Sequence, residues 1–266
     1  MSALPTDKSS GETVDPRKLV WFLYGPPGIG KSLLASGFGS SVLYLWTSSV
    51  KYIDAYKQPI MDWRSFVKAV RELQKLNGKR YSAVVVDTID LLWMLCRQHV
   101  LEARGIEHET DLSHGKGFDM VRREFIPVIA KLTTCGYGVV FVSHAKVRDS
   151  NQGGRGVRMD RIVPTLQDSA KGIILPICDV EGYLGFSAED VDEDTGKRRI
   201  FFQPTGIIEA KDWTDRLPKQ MELVKDPAAN YAELTKHLLS EGRGSTATPH
   251  RKKKKKTATK KKRTTE

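Results

Sequence analysis

The sequence predicts an α/β fold in which a mainly parallel β-sheet is covered by helices on both faces. Three observations predict it. Short apolar runs of strand length alternate along the chain with longer segments of helical character. Four of these runs are continuously apolar, which is typical of strands buried on both faces of a parallel sheet. A glycine-rich loop joins the first strand to the first helix, an arrangement that recurs in this fold class.

Glycines separate the first predicted elements. Residues 19–24 form an apolar run, which predicts a strand that ends at Gly25. Residues 31–38 follow the loop and predict a helix that stops at Gly39. Residues 41–46 then predict a second buried strand.

The middle of the chain begins with an amphipathic helix. Asp62 is its predicted N-cap and residues 77–78, Asn-Gly, are its end. Residues 83–87 predict a third strand that is apolar until its last residue, and residues 89–104 predict the helix after it. The apolar face of the amphipathic helix consists of Phe66, Val67, Val70, Leu73 and Leu76.

A second helix–strand pair completes the predicted core. Residues 118–135 predict a helix, and residues 138–142 predict a fourth strand that ends at Ser143-His144. Residues 148–163 are rich in Gly and Arg and predict a mobile loop. The remaining predictions are a C-terminal β-hairpin of residues 180–186 and 198–203 and a last helix over residues 227–240.

The ends of the chain differ in composition from its middle. Residues 1–16 are polar and predict a disordered leader, residues 17–240 predict one domain, and residues 241–266 predict a disordered lysine-rich tail. The last sixteen residues hold ten basic side chains and one acidic one, a net +9 of the chain's +11. The predicted domain is therefore close to neutral.

Composition also excludes several classes of protein. No apolar run approaches the roughly 20 residues of a membrane span, and the start of the chain lacks the apolar core of a signal peptide. Cys96, Cys135 and Cys178 occur singly within apolar segments, which fits neither a disulfide framework nor a zinc site. We therefore expect a reduced cytoplasmic chain without a membrane partner.

The glycine-rich loop carries the strongest motif of the sequence. Gly25-Pro-Pro-Gly-Ile-Gly-Lys-Ser32 matches every fixed position of a Walker A loop, between a strand and a helix. Its glycines let backbone N–H groups point at phosphate oxygens, while Lys31 reaches the β- and γ-phosphates and Ser32 binds Mg²⁺. The sequence thus predicts ATP and Mg²⁺ as cofactors. The predicted nucleotide-binding residues are Gly25, Pro26, Pro27, Gly28, Ile29, Gly30, Lys31, Ser32 and Leu33.

Asp87 is the predicted Walker B residue. An acid that ends a buried valine-rich strand is costly unless a cation lies beside it, and such an aspartate orders the Mg²⁺ shell. The alternative is that Asp87 caps the next helix, although Thr88 and Asp90 also offer caps. Because Thr88 rather than Glu follows, the sequence favours a RecA-like ATPase over the hexameric AAA+ machines.

His144 stands at the tip of the next strand, where RecA-like ATPases keep a polar residue that senses the γ-phosphate. The alternative is an ordinary polar residue at a strand end, and the sequence does not decide between the two.

Taken together, the chain resembles phage RecA-like nucleotide-binding proteins, including the single-strand annealing proteins of the Sak group, which are relatives of RecA and RadA. The resemblance covers about residues 18–240 and implies a RecA-like core. The matching pieces are the Walker A loop, Tyr81 to Asp90, His114 to Asp119, Phe141 to Lys146, and Glu209-Ala-Lys211 followed by Leu217-Pro218.

The resemblance implies two loops that face DNA. The stretches 112–118 and 146–161 occupy the places of these loops. Arginines among glycines in the second stretch suit contacts with a flexible phosphate backbone, but such loops are also nucleotide lids or merely solvated. The implied DNA-binding residues are Lys116, Lys146, Arg148, Arg155, Arg158 and Arg161.

Two further catalytic roles follow from the resemblance. Lys211 matches the place from which RecA-like filaments supply a lysine to the neighbouring subunit's γ-phosphate, with a plain surface lysine as the alternative. Relatives commonly carry an acid after the second strand, where this chain has Trp46-Thr-Ser-Ser49. Asp62 or Asp54 is left to position the attacking water.

The tail is the third candidate for DNA contacts. Its lysine runs, which include Lys252, Lys253 and Lys254, have nothing apolar to bury. Nonspecific tethering to nucleic acid is the favoured interpretation. A solubility tail and a nuclear-localisation signal have the same composition.

The sequence therefore predicts an ATP- and Mg²⁺-dependent protein that binds single-stranded DNA and acts in recombination, annealing or repair. We expect it to assemble into a filament or ring and to meet a single-strand-binding protein. One alternative is a loader or packaging ATPase whose main partner is a protein. Another is a small-molecule P-loop kinase that uses the arginine-rich loop as a lid.

Overall fold

The structure of the protein is a computed structural model that describes residues 14–48, 50–109, 116–150, 159–186 and 196–240. Strands and helices alternate through the first half of the chain, and strands dominate the second. The strands are β1 (Val20–Gly25), β2 (Val42–Trp46), β3 (Tyr56–Pro59), β4 (Ala83–Asp87), β5 (Gly138–Ser150), β6 (Met159–Pro164), β7 (Val180–Phe186), β8 (Arg198–Phe201), β9 (Lys211–Asp212) and β10 (Gln220–Glu222). The helices are α1 (Lys31–Ser36), α2 (Trp63–Leu76), α3 (Ile89–Arg104), α4 (Lys116–Thr133), α5 (Asp168–Ile177) and α6 (Pro227–Leu239).

The sheet places β1 at its centre. The strand order is β10-β8-β7-β1-β5-β4-β2-β3, with β6 paired to β5 and β9 paired to β7. The pairs β1–β5, β1–β7, β5–β4, β4–β2 and β2–β3 are parallel, and β7–β8, β8–β10, β7–β9 and β5–β6 are antiparallel. The carboxyl ends of β1, β5 and β4 therefore meet at one edge of the sheet, beside the loop that follows β1.

Apolar cores lie on both faces of this sheet. Along β1, Phe22 and Tyr24 belong to one core, whereas Trp21 and Leu23 belong to the other, because successive side chains of a strand point to opposite faces. Helices α2 to α5 cover the first face, and α1 and α6 cover the second. These observations confirm the predicted α/β class, with its mainly parallel sheet and two layers of helices.

Several predicted elements are confirmed with small shifts at their ends. Helix α2 begins after Asp62, which caps it, and ends at Asn77 in a left-handed conformation. Strand β4 and helix α3 have the predicted limits, and β7 and β8 pair as the predicted hairpin. The short elements β3, β9, β10 and α5 were not predicted from the sequence.

The prediction of a mobile loop over residues 148–163 is wrong at both of its ends. Strand β5 does not stop at His144 but continues to Ser150, and Met159 to Pro164 return beside it as β6. We call this antiparallel pair, residues 145–150 and 159–164, the ribbon. Ladder hydrogen bonds join the two strands, so residues 148–150 and 159–163 do not take the irregular path that the nearby glycines indicated.

Some predictions lie outside the described residues. Arg155, Arg158, Lys252, Lys253 and Lys254 are among them, as are residues 1–13 of the leader. Residues 14–16, which the sequence assigned to the leader, are described. Pro16 is buried there and its carbonyl accepts a hydrogen bond from the Tyr231 hydroxyl at 3.4 Å.

Candidate functional site: a phosphate loop at the carboxyl edge of the sheet

The loop between β1 and α1 has the backbone that phosphate binding requires. Gly28 and Gly30 have φ angles of 77° and 102°, which side chains other than hydrogen rarely adopt. At Gly25, an added Cβ would lie 2.3 Å from the carbonyl oxygen of Leu184 on β7. The glycines thus give the loop its turn and also let β7 pack directly against its start.

Lys31 is held in place by the loop itself. Its Nζ donates hydrogen bonds to the carbonyl oxygens of Gly25 at 2.9 Å and Pro26 at 2.8 Å, and the residue is only 5% exposed. Burial lowers the pKa of Lys31 to about 8, although the nearby charges of Asp87 and Asp90 act in the opposite direction. A phosphate placed over the loop would supply the anion that this buried amine lacks.

Ser32 and Asp87 form the second part of the site. The Ser32 hydroxyl donates to Asp87 Oδ2 at 2.5 Å, and the Tyr44 hydroxyl donates to the Ser32 carbonyl at 2.6 Å. Burial raises the pKa of Asp87, against the hydrogen bond from Ser32 and the charge of Lys31. Thr88, not Asp87, is the N-cap of α3, since its hydroxyl accepts from the Leu91 N–H at 3.4 Å.

The Ser32 and Asp87 oxygens fit a magnesium ion. Both are hard oxygen donors, and they lie side by side next to the phosphate loop. Within the described part of the chain there is no group of three or more His, Cys, Asp or Glu side chains that could hold a metal by themselves. A metal at this position would take its other ligands from phosphate and water, which is how Mg²⁺ is usually held.

His144 lies next to the loop because of the strand register. Strands β1 and β5 are parallel neighbours, and Gly25 is paired with His144. The imidazole Nδ1 is 3.4 Å from Lys31 Nζ. The structure therefore brings together four of the predicted site residues, Lys31, Ser32, Asp87 and His144, from helix α1 and the two parallel strands β4 and β5.

Comparison with protein families gives the same assignment for the loop. Residues 17–214 match the model of an AAA domain. The chain belongs to this family. No curated protein matches it. The family is one of P-loop ATPases, so this chain has a P-loop core that binds ATP. The narrower prediction of a phage RecA-like protein stays a prediction, because the match is to the AAA domain in general.

Two residues that the sequence predicted to be catalytic, Asp62 and Lys211, lie outside the cluster around the phosphate loop. The Asp62 carboxylate accepts a hydrogen bond from the Ser65 N–H at 2.7 Å and follows β3, the outermost strand beyond β2. Lys211 Nζ donates to the Leu175 carbonyl at 2.7 Å and lies beside the Trp213 ring. Neither side chain contacts the phosphate loop.

Asp90 is a residue of the site that the sequence did not single out. Its Oδ1 accepts hydrogen bonds from the hydroxyls of Ser143 at 3.0 Å and Thr165 at 2.7 Å, whereas its buried Oδ2 has no hydrogen-bond partner among the residues that the structure describes. Thr165 also donates its backbone N–H to the His144 carbonyl at 2.8 Å. One carboxylate on α3 therefore holds Ser143 and Thr165, which flank the two ribbon strands at the end of the ribbon nearest the nucleotide site. The sequence signal for Asp90 was its position three residues after Asp87, which places the two carboxylates close together at the start of α3.

Arg198 was also missed. It stands on β8, and its guanidinium lies against the outer side of the phosphate loop, with Nη1 3.5 Å from the Ile29 carbonyl oxygen. The Lys197-Arg-Arg199 run was visible in the sequence, but only the pairing of β8 with β7 shows which of these side chains approaches the loop.

The predicted DNA-binding cations fall into two groups in the AAA domain. Lys146 is exposed on the ribbon, and Lys116 is exposed at the start of α4 rather than in a loop. Arg148 and Arg161 are paired across the ribbon, and each forms an ion pair with an acid. Arg148 Nη2 lies 3.2 Å from Asp168 Oδ1, and Arg161 Nη2 lies 3.8 Å from Glu209 Oε1. To bind DNA, each of these two arginines would have to exchange its carboxylate partner for a phosphate.

None of the helices in the described ranges combines the length and the apolar composition of a membrane span.

Proposed function

We propose that this AAA domain is an ATP- and Mg²⁺-dependent ATPase that binds single-stranded DNA along its ribbon and acts in DNA recombination, annealing or repair. One observation carries the proposal. His144 stands beside Lys31 in the nucleotide site and at the same time opens the ribbon that presents basic side chains. The same strand therefore touches both candidate ligands.

The nucleotide side of the proposal rests on groups that are already in position. The loop N–H groups and Lys31 bind the phosphates, and Ser32 and Asp87 hold Mg²⁺. When bound, the metal neutralises charge that develops on the phosphate oxygens. Lys31 and Asp87 are 5% and 3% exposed, so both charged groups are largely shielded from water, which strengthens their interactions with a bound phosphate and metal.

The coupling step runs through hydrogen bonds at the base of the ribbon. A γ-phosphate placed beside Lys31 lies within reach of the His144 imidazole, which is 3.4 Å from that amine. Any shift of His144 acts on Thr165, which bonds to its carbonyl, and on Asp90, which holds Thr165. The state of the nucleotide thereby acts on the beginning of the first ribbon strand and on the end of the second.

The DNA side of the proposal rests on charge. The ribbon carries Lys146, Arg148 and Arg161, and the segment between its strands adds Arg155 and Arg158 in the sequence. Contacts between such cations and phosphates release counterions and depend strongly on salt. The ion pair of Arg148 with Asp168 is largely exposed, so its exchange for a phosphate costs little.

Assembly into a filament or ring belongs to the same proposal. Lys211 pairs with Glu181 on β7, which in turn pairs with Phe22 on β1, three residues before Gly25. At about 3.3 Å per residue, Lys211 sits roughly 10 Å below its own phosphate loop. A contact between this amine and a γ-phosphate is therefore one with the nucleotide of a neighbouring subunit, as in enzymes that receive a cation in trans.

The test is ATP hydrolysis by the purified chain with single-stranded DNA, with duplex DNA and without DNA, at low and moderate salt. We expect single strands to raise the rate at least several-fold above duplex, and the gain to shrink with salt. Lys31→Ala serves as the blank, since it removes the amine that binds the phosphates.

Hydrolysis that ignores DNA at every salt concentration would contradict the DNA part of the proposal. It would favour an ATPase that answers to a protein partner. Phosphate transfer to a nucleoside or metabolite that saturates with its concentration would instead favour a small-molecule kinase.

A further inference from the structure

We propose that Arg198 is a nucleotide-binding residue that contacts the α- and β-phosphates from the side of the loop opposite to Asp87 and His144. The inference rests on the nucleotide binding stated above and extends it to a second cation, supplied by the same chain. It assigns to the β7–β8 hairpin a part in the ATP site.

The backbone of Arg198 is fixed where the hairpin meets the phosphate loop. Arg198 is paired with Phe186 at the end of the β7–β8 ladder, and its carbonyl accepts the Leu223 N–H at 2.8 Å. Strand β8 is also paired with β10, so it has neighbours on both edges. A side chain on this strand is presented from a rigid support, which is what binding an anion with a defined geometry requires.

The guanidinium lies directly against the loop. Its Nη1 is 3.5 Å from the Ile29 carbonyl oxygen, and a Cβ added to Gly30 would lie only 2.7 Å from the same nitrogen. Gly30 is therefore needed for two reasons, its φ of 102° and the room that it leaves for Arg198. Arg198 is only half-buried, so the side chain remains partly accessible.

Strand order decides which end of the nucleotide Arg198 faces. The sheet runs β8-β7-β1-β5-β4, with the loop on β1 in the middle. His144 and Asp87 come from β5 and β4, on one side of the loop, and Lys31 Nζ points to the same group of residues. This side receives the γ-phosphate. Arg198 comes from β8, on the other side, and so faces the α- and β-phosphates that the loop itself cradles.

Charge also favours a phosphate ligand. Arg198 has no ion pair with any carboxylate in the described part of the chain, and its hydrogen bond to the loop is long, at 3.5 Å. A guanidinium has five N–H donors, so most of them remain for a ligand. Lys31 shares its charge with Asp87 and Asp90, which leaves the triphosphate short of positive charge on the β8 side.

The experiment compares three variants of the full chain in their affinity for fluorescent ADP and ATP with Mg²⁺, without DNA. Arg198→Ala and Arg198→Gln are expected to weaken both nucleotides about tenfold or more, roughly 1.4 kcal/mol. Lys197→Ala is the control. It removes the same charge one residue away, from an exposed ion pair with Glu222, and is expected to change affinity less than twofold.

Arg198→Gln distinguishes a residue that binds the nucleotide from one that only supports the phosphate loop. The glutamine amide is shorter than the guanidinium and carries no charge, so it keeps a polar donor without the cation, and the melting temperature reports whether the loop has lost support. Retained affinity for ADP and ATP in Arg198→Gln, with an unchanged melting temperature, would overturn the inference. A loss for ATP alone would overturn the assignment to the α- and β-phosphates, because it would place the side chain at the γ-phosphate.

The outcome is independent of the proposed DNA function. Nucleotide affinity is measured without DNA, so a protein that ignores DNA can still show the expected loss in Arg198→Gln. Equally, DNA-stimulated hydrolysis in the unmodified chain does not depend on which side chain holds the α-phosphate.

Discussion

At the scale of single residues, the costliest groups of the domain are its buried charges. Lys31, Asp87 and Glu181 are each about 5% exposed or less. Lys31 and Asp87 lie in the nucleotide site, where a triphosphate and its metal compensate them. Glu181 lies on β7, away from the loop, and its buried Oε1 has no hydrogen-bond partner among the described residues.

Glu181 makes stability depend on pH. Burial raises the pKa of Glu181 to about 7, with the charge of Glu209 acting in the same direction and Lys171 and Lys211 opposing it. The native state therefore binds the proton more tightly than the unfolded chain. This contribution to stability is fully present below the unfolded pKa, near 4.5, and is lost as the pH rises through about 7.

We predict that Glu181→Gln stabilises the protein at alkaline pH. Relative to the unmodified chain, its free energy of unfolding should rise by about 2 kcal/mol between pH 5 and pH 8, since glutamine does not ionise. Denaturant unfolding at both pH values measures this. Glu72→Gln, which changes an exposed carboxylate whose pKa is lowered by Lys75, should show no such gain. A difference that is constant with pH would contradict the prediction.

At the scale of elements, two helices show how local chemistry serves different ends. Helix α2 begins with a capping box, in which Asp62 accepts from the Ser65 N–H and Ser65 accepts from the Asp62 N–H. Helix α3 begins with Thr88 as cap, which leaves Asp87 for Ser32 and Asp90 for the ribbon. The cap of α2 is explained by helix stability alone, whereas the cap of α3 also leaves two carboxylates free to position the site.

This difference predicts the behaviour of Asp62. Asp62→Ala should lower the free energy of unfolding by about 1 kcal/mol, since it removes the cap, and leave the rate of ATP hydrolysis per folded molecule unchanged. Asp62→Asn, which keeps a capping side chain, should change neither quantity. Thermal unfolding and steady-state hydrolysis measure both. If Asp62 positions the attacking water, Asp62→Asn will instead lose hydrolysis at an unchanged melting temperature.

Strand β5 is the element that joins the two halves of the proposed function. Its first residues pair with β1 and β4 inside the sheet, and its last residues pair only with β6. Its side chains change accordingly from buried and apolar to exposed, with Lys146 and Arg148 among the exposed ones. His144 lies at that transition, which is why a single residue can contact the nucleotide site and open the ribbon.

At the scale of the whole molecule, most of the net positive charge lies in the last residues of the sequence and not in the AAA domain. The domain is nearly neutral, and the last sixteen residues carry most of the net charge of +11. Electrostatic attraction of DNA to the tail would act over about a Debye length and would need no defined contact. The ribbon, in contrast, presents its cations at fixed positions next to the nucleotide.

We predict that a chain ending at residue 240 keeps its melting temperature and its affinity for ATP. Its affinity for single-stranded DNA should fall, and the slope of log affinity against log salt should become shallower by about 0.7 for each lost phosphate contact. Titration of labelled oligonucleotides at several salt concentrations measures this. A full-length chain with Lys252 to Lys256 replaced by glutamine is the matched control, and an unchanged slope in both would reduce the tail to a solubility element.

The sequence by itself determined the order of the main elements and the identity of the phosphate loop. Both depend on local information: apolar runs that are buried on two faces, and glycines, Lys31 and Ser32 at fixed spacing. The cap of α2 and the limits of α3 were predictable for the same reason, because caps and periodicity lie within a few residues of each other.

Only the tertiary structure decided which distant residues join the loop. Asp90 and Arg198 come from α3 and β8, and their roles depend on strand order and register, which no local pattern encodes. The ribbon was missed because Gly153, Gly154 and Gly156 indicate a loop for the residues around them, whereas β5 and β6 pair on either side of those glycines. Long-range hydrogen bonding thus overrode local propensity, as it commonly does in sheets.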